Sequence, residues 1–235
     1  EPLDAEEIRS EYKDAASRLK PYITDTVSFL CRAVRDGRSI LFEGAQGTML
    51  DIDFGSYPYV TSSNATAGGA CTGTGIPPHR IDRVVGVVKA YTPRVGEGPF
   101  PTELSDETGK LLGREGNEFG ATTGRPRRCG WFDAVVARYA AMLNGIDYWA
   151  MTKLDVLDSL ETIKVCVAYE CHGRRTEDVP ANVRMLQECR PVYEELPGWQ
   201  TSTAAVTRFE DLPGRAREYV DGLCELTGVP LGLLS

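Results

Sequence analysis

Two kinds of segment alternate along this chain of 235 residues, and that alternation constrains its fold more than any other feature. Short apolar, β-branched segments predict strands, and longer segments with apolar residues on one face predict helices. Strands that alternate with helices favour an α/β fold with a mainly parallel sheet and crossover helices. Ligands of such sheets bind beyond the carboxyl ends of the strands. The residues that follow each predicted strand are therefore candidate site residues.

The pattern gives each predicted element approximate bounds. We expect helices at residues 5–20, 22–36, 131–143 and 213–227. We expect strands at residues 39–42, 83–91, 148–154 and 162–168, with a further strand starting at the last residues. Residues 93–128 are rich in glycine and proline and predict a long irregular segment, which in a compact domain is usually functional or disordered.

Composition argues against several classes of protein. The formal net charge is -8 and no basic patch alternates with aromatic residues, so we expect no nucleic-acid partner. No apolar run reaches the length that spans a bilayer, so we expect no membrane association. His79 and His172 lie beside no nucleophile or paired acid, which argues against a hydrolase with a catalytic triad.

The seven cysteines are scattered along the chain and include no CxxC pair. This pattern predicts a reducing compartment and argues against a disulfide framework and a zinc site. Cys166, Cys171 and His172 lie close together, but their segment is apolar and offers no further ligands. We therefore interpret these cysteines as buried and structural.

The segment from residue 120 to residue 131, GATTGRPRRCGW, contains three arginines and no acidic residue. Its glycines allow a close approach to a ligand, and its adjacent threonines can donate hydrogen bonds. Arg125 and Arg127 flank Pro126, which favours an extended backbone, so both guanidinium groups can point to one side and Arg128 elsewhere. A guanidinium binds a carboxylate or phosphate through two parallel donors. The segment predicts a site for a small dianion, and the alternative is a solvated basic loop.

A second motif, Thr152-Lys153-Leu154-Asp155, follows the apolar strand residues Tyr148 to Met151 and resembles the guanine-reading motif NKxD. The Asp155 carboxylate can accept two hydrogen bonds from guanine, a pair of donors that adenine lacks. The aliphatic stem of Lys153 can lie along the base. The first position is threonine instead of asparagine, and a pattern of four residues also occurs by chance.

The turn after the first predicted strand contains Gln46, which offers a ligand both a donor and an acceptor. The alternative interpretation is a polar residue of a surface turn. Polar residues at 61–64 favour a helix cap and could also bind a phosphate. The sequence contains no GxxxxGK[ST] phosphate loop, and the glycine-rich run at 68–75 does not fit a dinucleotide fingerprint.

Three long motifs together resemble the adenylosuccinate synthetase family: FEGAQGTMLDIDFGSYPYVTSSNATAGG, GNEFGATTGRPRRCGWFD and MTKLDVLD. The resemblance begins near Ile40 and continues to the last residue. It implies a P-loop-NTPase-like α/β fold with long functional loops. It also implies one partial α/β domain over 1–235, with a helical lead-in at 1–37 and an IMP-, aspartate- and guanine-binding portion at 38–235.

The resemblance implies a GTP-dependent ligase of purine biosynthesis, which joins IMP and L-aspartate to adenylosuccinate and releases GDP and phosphate. It further implies Mg²⁺, a homodimer and a cytoplasmic location, with a plastid not excluded. We expect IMP contacts from Gln46, Leu50, Thr61 and Arg125. We expect aspartate contacts from Ala121, Thr122, Thr123, Gly124, Arg125 and Arg127. We expect GTP contacts from Arg127, Lys153, Leu154, Asp155 and Ser235.

The chain also departs from the family pattern, which has a glycine-rich phosphate loop with a catalytic aspartate and then a catalytic histidine. Neither occurs in these 235 residues, so we expect no catalytic residue and no Mg²⁺ ligand in the chain. We expect a fragment of the enzyme that is inactive alone. The alternatives are a non-catalytic guanine-nucleotide binding module and, more remotely, an amino-acid-binding protein that uses the arginine segment.

Overall fold

A computed structural model describes residues 3–120 and 124–235 of the chain. Its α-helices are α1 (Ala5–Leu19), α2 (Thr26–Arg35), α3 (Gly68–Thr74), α4 (Glu107–Glu115), α5 (Ala134–Asn144), α6 (Val183–Glu188) and α7 (Gly214–Thr227). Its strands are β1 (Val85–Lys89), β2 (Thr92–Arg94), β3 (Arg128–Gly130), β4 (Phe132–Asp133), β5 (Tyr148–Thr152), β6 (Thr162–Cys171), β7 (Arg174–Thr176), β8 (Arg190–Pro197) and β9 (Leu231–Leu234).

The chain divides into two compact units, and the first comprises Glu1–Glu43 and Ala70–Arg80. Helices α1 and α2 begin after Asp4 and Asp25, whose carboxylates accept hydrogen bonds from backbone N–H groups of the first turn. Both helices were predicted from sequence. The prediction of a strand at 39–42 was wrong, because these residues pair with no strand in the part of the chain that the structure describes. An apolar segment becomes a strand only where a neighbour supplies the ladder hydrogen bonds.

The second unit comprises Gly44–Gly69 and Ile81–Ser235 and contains a parallel sheet in the order β1-β5-β9. The backbone at Gly86 packs closely against Trp149 and requires a glycine, because a Cβ atom there would lie 2.3 Å from the Trp149 ring. That indole is buried, and its Nε1 donates to Thr227 Oγ1 of α7 at 2.9 Å. Helix α7 therefore packs on the sheet, and the predicted α/β class with a parallel sheet is confirmed.

A second sheet has the order β4-β6-β7, with β8 also paired to β6. Only β4 runs parallel to β6, and the other pairings are antiparallel. Strands β7 and β8 and helices α4 and α6 were not predicted from sequence. Helix α4 lies in the stretch predicted to be irregular. It was missed because its two glycines weaken the helical pattern, although Asp106 caps its first turn.

One prediction about the cysteines was wrong, because Cys171 and Cys189 form a disulfide with their Cα atoms 4.6 Å apart. Glu170 pairs with Arg190 in the β6–β8 ladder, so the two cysteines follow and precede directly paired residues. The antiparallel ladder brings them together although they are separated by 18 residues in sequence. Cys166 is buried and free, as the sequence predicted.

No helix within the described ranges is long and apolar enough to cross a lipid bilayer.

Candidate functional site

The carboxyl edge of the parallel sheet brings together two of the residues predicted to bind GTP. Lys153 directly follows β5 in a left-handed conformation, with φ +64°. Its backbone N–H donates to the carbonyl oxygen of Ser235 at 3.1 Å, and the N–H of Ser235 donates to Met151 at 2.8 Å. The parallel pairing of β5 and β9 thus places Lys153 beside Ser235.

The Asp155 carboxylate is exposed in the short 3-10 turn that follows Lys153. It lines an open cleft of about 400 Å³ with two aliphatic residues, Leu111 and Val156, and with four polar ones: Arg114, Glu115, Asp158 and Ser159. The aliphatic side chains can contact a planar base, and the carboxylates can accept from its hydrogen-bond donors. The side chain of Leu154 is buried in the core, so only its main chain is available to a nucleotide.

Residues 118–120 and 124–127, within and beside the basic segment, form a two-stranded ribbon. Gly120 N–H donates to Arg125 O and Arg127 N–H donates to Glu118 O, both at 2.8 Å, with a bridge between Phe119 and Pro126. Gly124 turns the chain with φ +63° and donates to Gly120 O at 2.8 Å. The predicted aspartate contacts Ala121, Thr122 and Thr123 lie outside the described residues.

The side chain of Arg127 is held at the base of this ribbon. Its Nη1 donates to Glu118 Oε2 at 2.8 Å. The other carboxylate oxygen, Glu118 Oε1, accepts from Lys89 Nζ at 2.6 Å and from the hydroxyl of Tyr91. Burial raises the pKa of Glu118, but hydrogen bonds from these three donors outweigh burial and lower the pKa overall. Glu118 is therefore an ionised, fully buried carboxylate.

Arg128 points elsewhere, as the sequence predicted. Its Nε and Nη2 donate to the two carboxylate oxygens of Glu103 at 2.7 and 2.5 Å. Its Nη1 donates to the carbonyl oxygens of Gly96 and Gly98. Arg128 is thus occupied by protein groups. The side chain of Arg125 is exposed.

The loop at 44–69 carries three residues predicted to bind IMP, and two of them are in direct contact. Thr61 N–H donates to Leu50 O at 2.8 Å. Gln46 is exposed and adopts φ +66°, which turns the chain before the short helix that ends at Leu50. Asn144 of α5 anchors this loop, since its amide group donates to Thr48 Oγ1 and accepts from Ala67 N–H.

Sequence reasoning missed Asp51, which organises the same loop. Its buried carboxylate accepts hydrogen bonds from four backbone N–H groups, those of Asp53, Phe54, Ala65 and Thr66. Burial raises the pKa of Asp51, but the four donors outweigh burial and lower the pKa. The only signal in the sequence was an aspartate among loop residues whose N–H groups need acceptors.

Sequence reasoning also missed Arg94, which links the loop to the ribbon. Its Nη2 donates to Ser56 Oγ at 2.9 Å and to Tyr59 O at 3.2 Å. Arg94 faces Arg128 in the β2–β3 ladder, and Arg128 directly follows Arg127. Burial lowers the pKa of Arg94, and the nearby Arg128 adds to the shift. Strands β2 and β3 thus connect the loop of Leu50 and Thr61 to the segment of Arg127.

No group of three or more histidine, cysteine or acidic side chains within residues 3–120 and 124–235 is placed to hold a metal ion.

Comparison with known proteins gives one consistent result. A family model described as adenylosuccinate synthetase matches residues 1–235. The adenylosuccinate synthetase of Desulforudis audaxviator is 59% identical over 232 residues, which cover 99% of this chain and 54% of that protein. The adenylosuccinate synthetase of Trichodesmium erythraeum is 58% identical over 234 residues, and this chain covers 54% of its length. The chain thus spans about half the length of the curated relatives it matches.

A solved structure supports the same relationship at the level of the fold. The structure of fully ligated adenylosuccinate synthetase from Plasmodium falciparum superposes with a TM-score of 0.96 at 39% sequence identity. The match covers 100% of this chain and 56% of the Plasmodium chain.

Proposed function

Because the chain belongs to the adenylosuccinate synthetase family, we propose that its protein ligates IMP and L-aspartate to adenylosuccinate at the expense of GTP, releasing GDP and phosphate. One observation carries the proposal beyond family membership. Lys153, Asp155 and Ser235 lie at the carboxyl edge of the parallel sheet, and Lys89 ends the neighbouring strand and ion-pairs with the carboxylate that holds Arg127. A site for a base and a site for a dicarboxylate therefore share one edge.

The guanine site is proposed at Asp155. Its exposed carboxylate accepts two hydrogen bonds from guanine, and the neighbouring cleft provides an aliphatic wall. Lys153 Nζ donates to the carbonyl oxygen of Gly116 at 3.1 Å, which holds the lysine stem in a defined place beside the base. Ser235 and the main chain of Leu154 complete this part of the site.

The aspartate site is proposed at the ribbon. Arg127 supplies a guanidinium whose side chain is 28% exposed, so a ligand can reach it. A bound carboxylate pairs with it at the surface of a partly buried cluster, where the attraction is stronger than in water. Ala121, Thr122, Thr123, Gly124 and Arg125 are proposed to close over the same ligand, and Arg127 is also proposed to approach GTP.

The IMP site is proposed on the loop at 44–69. Gln46 has both a donor and an acceptor for the 6-oxygen region of the base, and Thr61 has a hydroxyl for the 5′-phosphate. Leu50 and Arg125 add further contacts. Asp51 and Arg94 act on IMP only by holding this loop in shape.

The proposed reaction places the γ-phosphoryl group of GTP on the 6-oxygen of IMP, and the amine of aspartate then displaces it. Phosphoryl transfer depends mainly on positioning and on charge stabilisation. The residues of this chain bind and orient the three substrates. Mg²⁺, when bound, would supply charge neutralisation to such a transfer.

The test is an assay of adenylosuccinate formation by the full-length protein with IMP, GTP and L-aspartate, and with each omitted in turn. We expect product only when all three are present. Binding of GTP without product formation would instead support a non-catalytic guanine-nucleotide module. The same assay on residues 1–235 alone tests the prediction that this portion is inactive, and sedimentation of the full-length protein tests the predicted homodimer.

A further inference from the structure

Glu118 is the carboxylate that fixes Arg127, and it lies in a part of the ribbon where sequence reasoning expected no site residue. Its side chain is fully buried, and all of its donors come from the same unit of the protein. Lys89 and Tyr91 bind one carboxylate oxygen, and Arg127 binds the other. A buried carboxylate with three donors is rigidly held, because each lost hydrogen bond would leave a charge unsatisfied.

Arg127 is attached to Glu118 at two points. Its backbone N–H donates to the carbonyl oxygen of Glu118, and its Nη1 donates to Oε2, both at 2.8 Å. A guanidinium is planar and rigid, so fixing one terminal nitrogen and the backbone limits where the others can point. The buried Nε of Arg127 has no hydrogen-bond partner among the described residues. The side chain of Arg127 is nevertheless 28% exposed, so a ligand can reach another part of the guanidinium group.

The cluster also carries an excess of positive charge. Lys89 and Arg127 are cations that share the single carboxylate of Glu118. Burial and the neighbouring Glu118 raise the pKa of Tyr91 well above its ordinary value, so this hydroxyl stays neutral. Within the cluster itself two cations share one carboxylate, which favours the binding of an anion beside Arg127.

We propose that Glu118 is a positioning residue that orients the Arg127 guanidinium toward the carboxylates of the aspartate substrate. The inference rests on the function proposed above and adds residues to it. Lys89 ends β1 and faces Thr152 in the β1–β5 ladder, so the cluster connects Arg127 to the strand end that precedes Lys153. Glu118 acts through Arg127 and has no contact of its own with the ligand.

The backbone around Gly116 supports the same arrangement. A Cβ atom at Gly116 would lie 2.0 Å from the hydroxyl oxygen of Tyr91. The glycine therefore lets Tyr91 reach Glu118. The carbonyl oxygen of Gly116 accepts from Lys153 Nζ, so the same turn contacts both the proposed guanine site and the cluster around Glu118.

The test is E118Q in the full-length protein, with Michaelis constants measured for each substrate. Glutamine keeps the shape but removes the charge, so Arg127 loses its ion pair and is no longer held in one orientation. We expect KM for aspartate to rise roughly tenfold or more, since a buried charge has lost its partner. We expect KM for IMP to stay within about twofold and kcat at saturating aspartate within about threefold, because Glu118 touches no reacting atom.

The matched control is E103Q, which makes the same substitution in the carboxylate paired with the neighbouring Arg128. Here we expect KM for aspartate to stay unchanged. A double-mutant cycle then separates positioning from general destabilisation. In the R127L background, E118Q should cause no further rise in KM for aspartate, because the residue through which it acts is gone.

E118D keeps the test decisive if E118Q does not fold. Aspartate keeps the negative charge that Lys89 and Arg127 share but is one methylene group shorter, so Arg127 is no longer held at the same point and we expect KM for aspartate to rise several-fold. An active wild type in which folded E118Q, or E118D in its place, leaves KM for aspartate unchanged overturns the inference alone, as does an equal effect of E118Q in the R127L background. A full-length wild type that forms no adenylosuccinate overturns the proposed function itself, and the role for aspartate with it.

Discussion

At the scale of single residues, the proposed base site depends on one exposed carboxylate. Asp155 lines the cleft next to α4, and its neighbours Leu154 and Val156 are buried in the core. The turn is therefore held by its apolar residues while Asp155 stays available to a ligand. This arrangement separates the residues that stabilise the turn from the one that reads the base.

Replacing Asp155 with asparagine should reduce the preference for GTP over ATP. The asparagine amide keeps one acceptor and turns its N–H₂ group toward one of the guanine donors, so a hydrogen bond to a charged group is lost. Such a bond contributes about 1.5–3 kcal/mol, which corresponds to a roughly tenfold to hundredfold fall in kcat/KM for GTP relative to ATP. The measurement is kcat/KM for both nucleotides in the full-length protein. E115Q changes another acid of the same cleft and should leave the ratio alone. Unchanged selectivity in the Asp155 variant would contradict the guanine site.

Asp51 shows how a residue can shape the site without touching a ligand. An asparagine there keeps one oxygen but turns an N–H₂ group toward two of the four backbone donors. Because the Asp51 carboxylate is buried and its donors are partly buried, we expect Asp51→Asn to lower the free energy of unfolding by about 1–3 kcal/mol. Urea unfolding measures it. Asp53 is exposed and accepts from Asn64, so Asp53→Asn should cost less than about 0.5 kcal/mol. Equal effects of the two variants would refute this role.

At the scale of elements, α4 is the helix that carries both the cleft and the approach to the ribbon. Its Leu112 is buried, and its last turn leads through Gly116 to Glu118. The helix contains two internal glycines with different surroundings. A Cβ atom at Gly109 would lie 2.1 Å from the carbonyl oxygen of Leu104, whereas the nearest atom to a Cβ at Gly113 is Cys129 Sγ at 3.9 Å.

These glycines predict opposite effects of the same substitution in one helix. Gly113→Ala should raise the free energy of unfolding by about 0.5–1 kcal/mol, because alanine loses less backbone entropy in a helix. Gly109→Ala should lower it by roughly 1–3 kcal/mol, because the backbone must shift to admit the methyl group. Denaturant unfolding of both variants measures the difference. A stabilising Gly109→Ala would show that Leu104 does not pack this closely.

At the scale of the whole molecule, a buried acid joins the helix after the ribbon to the second sheet. Asp133 caps α5 through the N–H groups of Val135 and Val136, and it accepts from the hydroxyl of Tyr169 on β6 at 2.5 Å. Burial raises the pKa of Asp133 from 3.8 to about 6, and these hydrogen bonds only partly oppose the shift. The folded protein therefore holds a proton that the unfolded chain releases near pH 4.

The shift gives stability a definite dependence on pH. The folded-state pKa is raised, so the contribution of Asp133 is greatest below pH 4, declines as pH rises to about 6, and is constant above. The full change is about 3 kcal/mol. D133N keeps a helix-capping side chain but does not titrate. We expect the free energy of unfolding of D133N, measured by chemical denaturation, to rise relative to that of wild type between pH 4 and pH 6. A difference that does not change with pH would contradict the raised pKa of Asp133.

Much of the fold could be predicted because its signals are local. The pattern of apolar residues predicted α1, α2, α5 and α7 and strands β1, β5 and β6 within a few residues. Strand β8 and helix α4 were missed, because these segments adopt regular secondary structure only through contacts with residues distant in sequence. The strand expected at 39–42 failed for the same reason, because pairing is a property of two segments.

The sequence by itself determined the α/β class and the family and supplied the candidate residues of the proposed sites, because spacing and side-chain type are local properties. It could not determine which of those residues lie together. The parallel ladder of β5 and β9 placed Lys153 beside Ser235, and the buried carboxylate of Glu118 gave Arg127 its orientation. The first contact joins segments far apart in the chain, and in the second Glu118 is itself held by Lys89 and Tyr91 from a distant segment. Only the packing of the tertiary structure brings such groups within hydrogen-bonding distance.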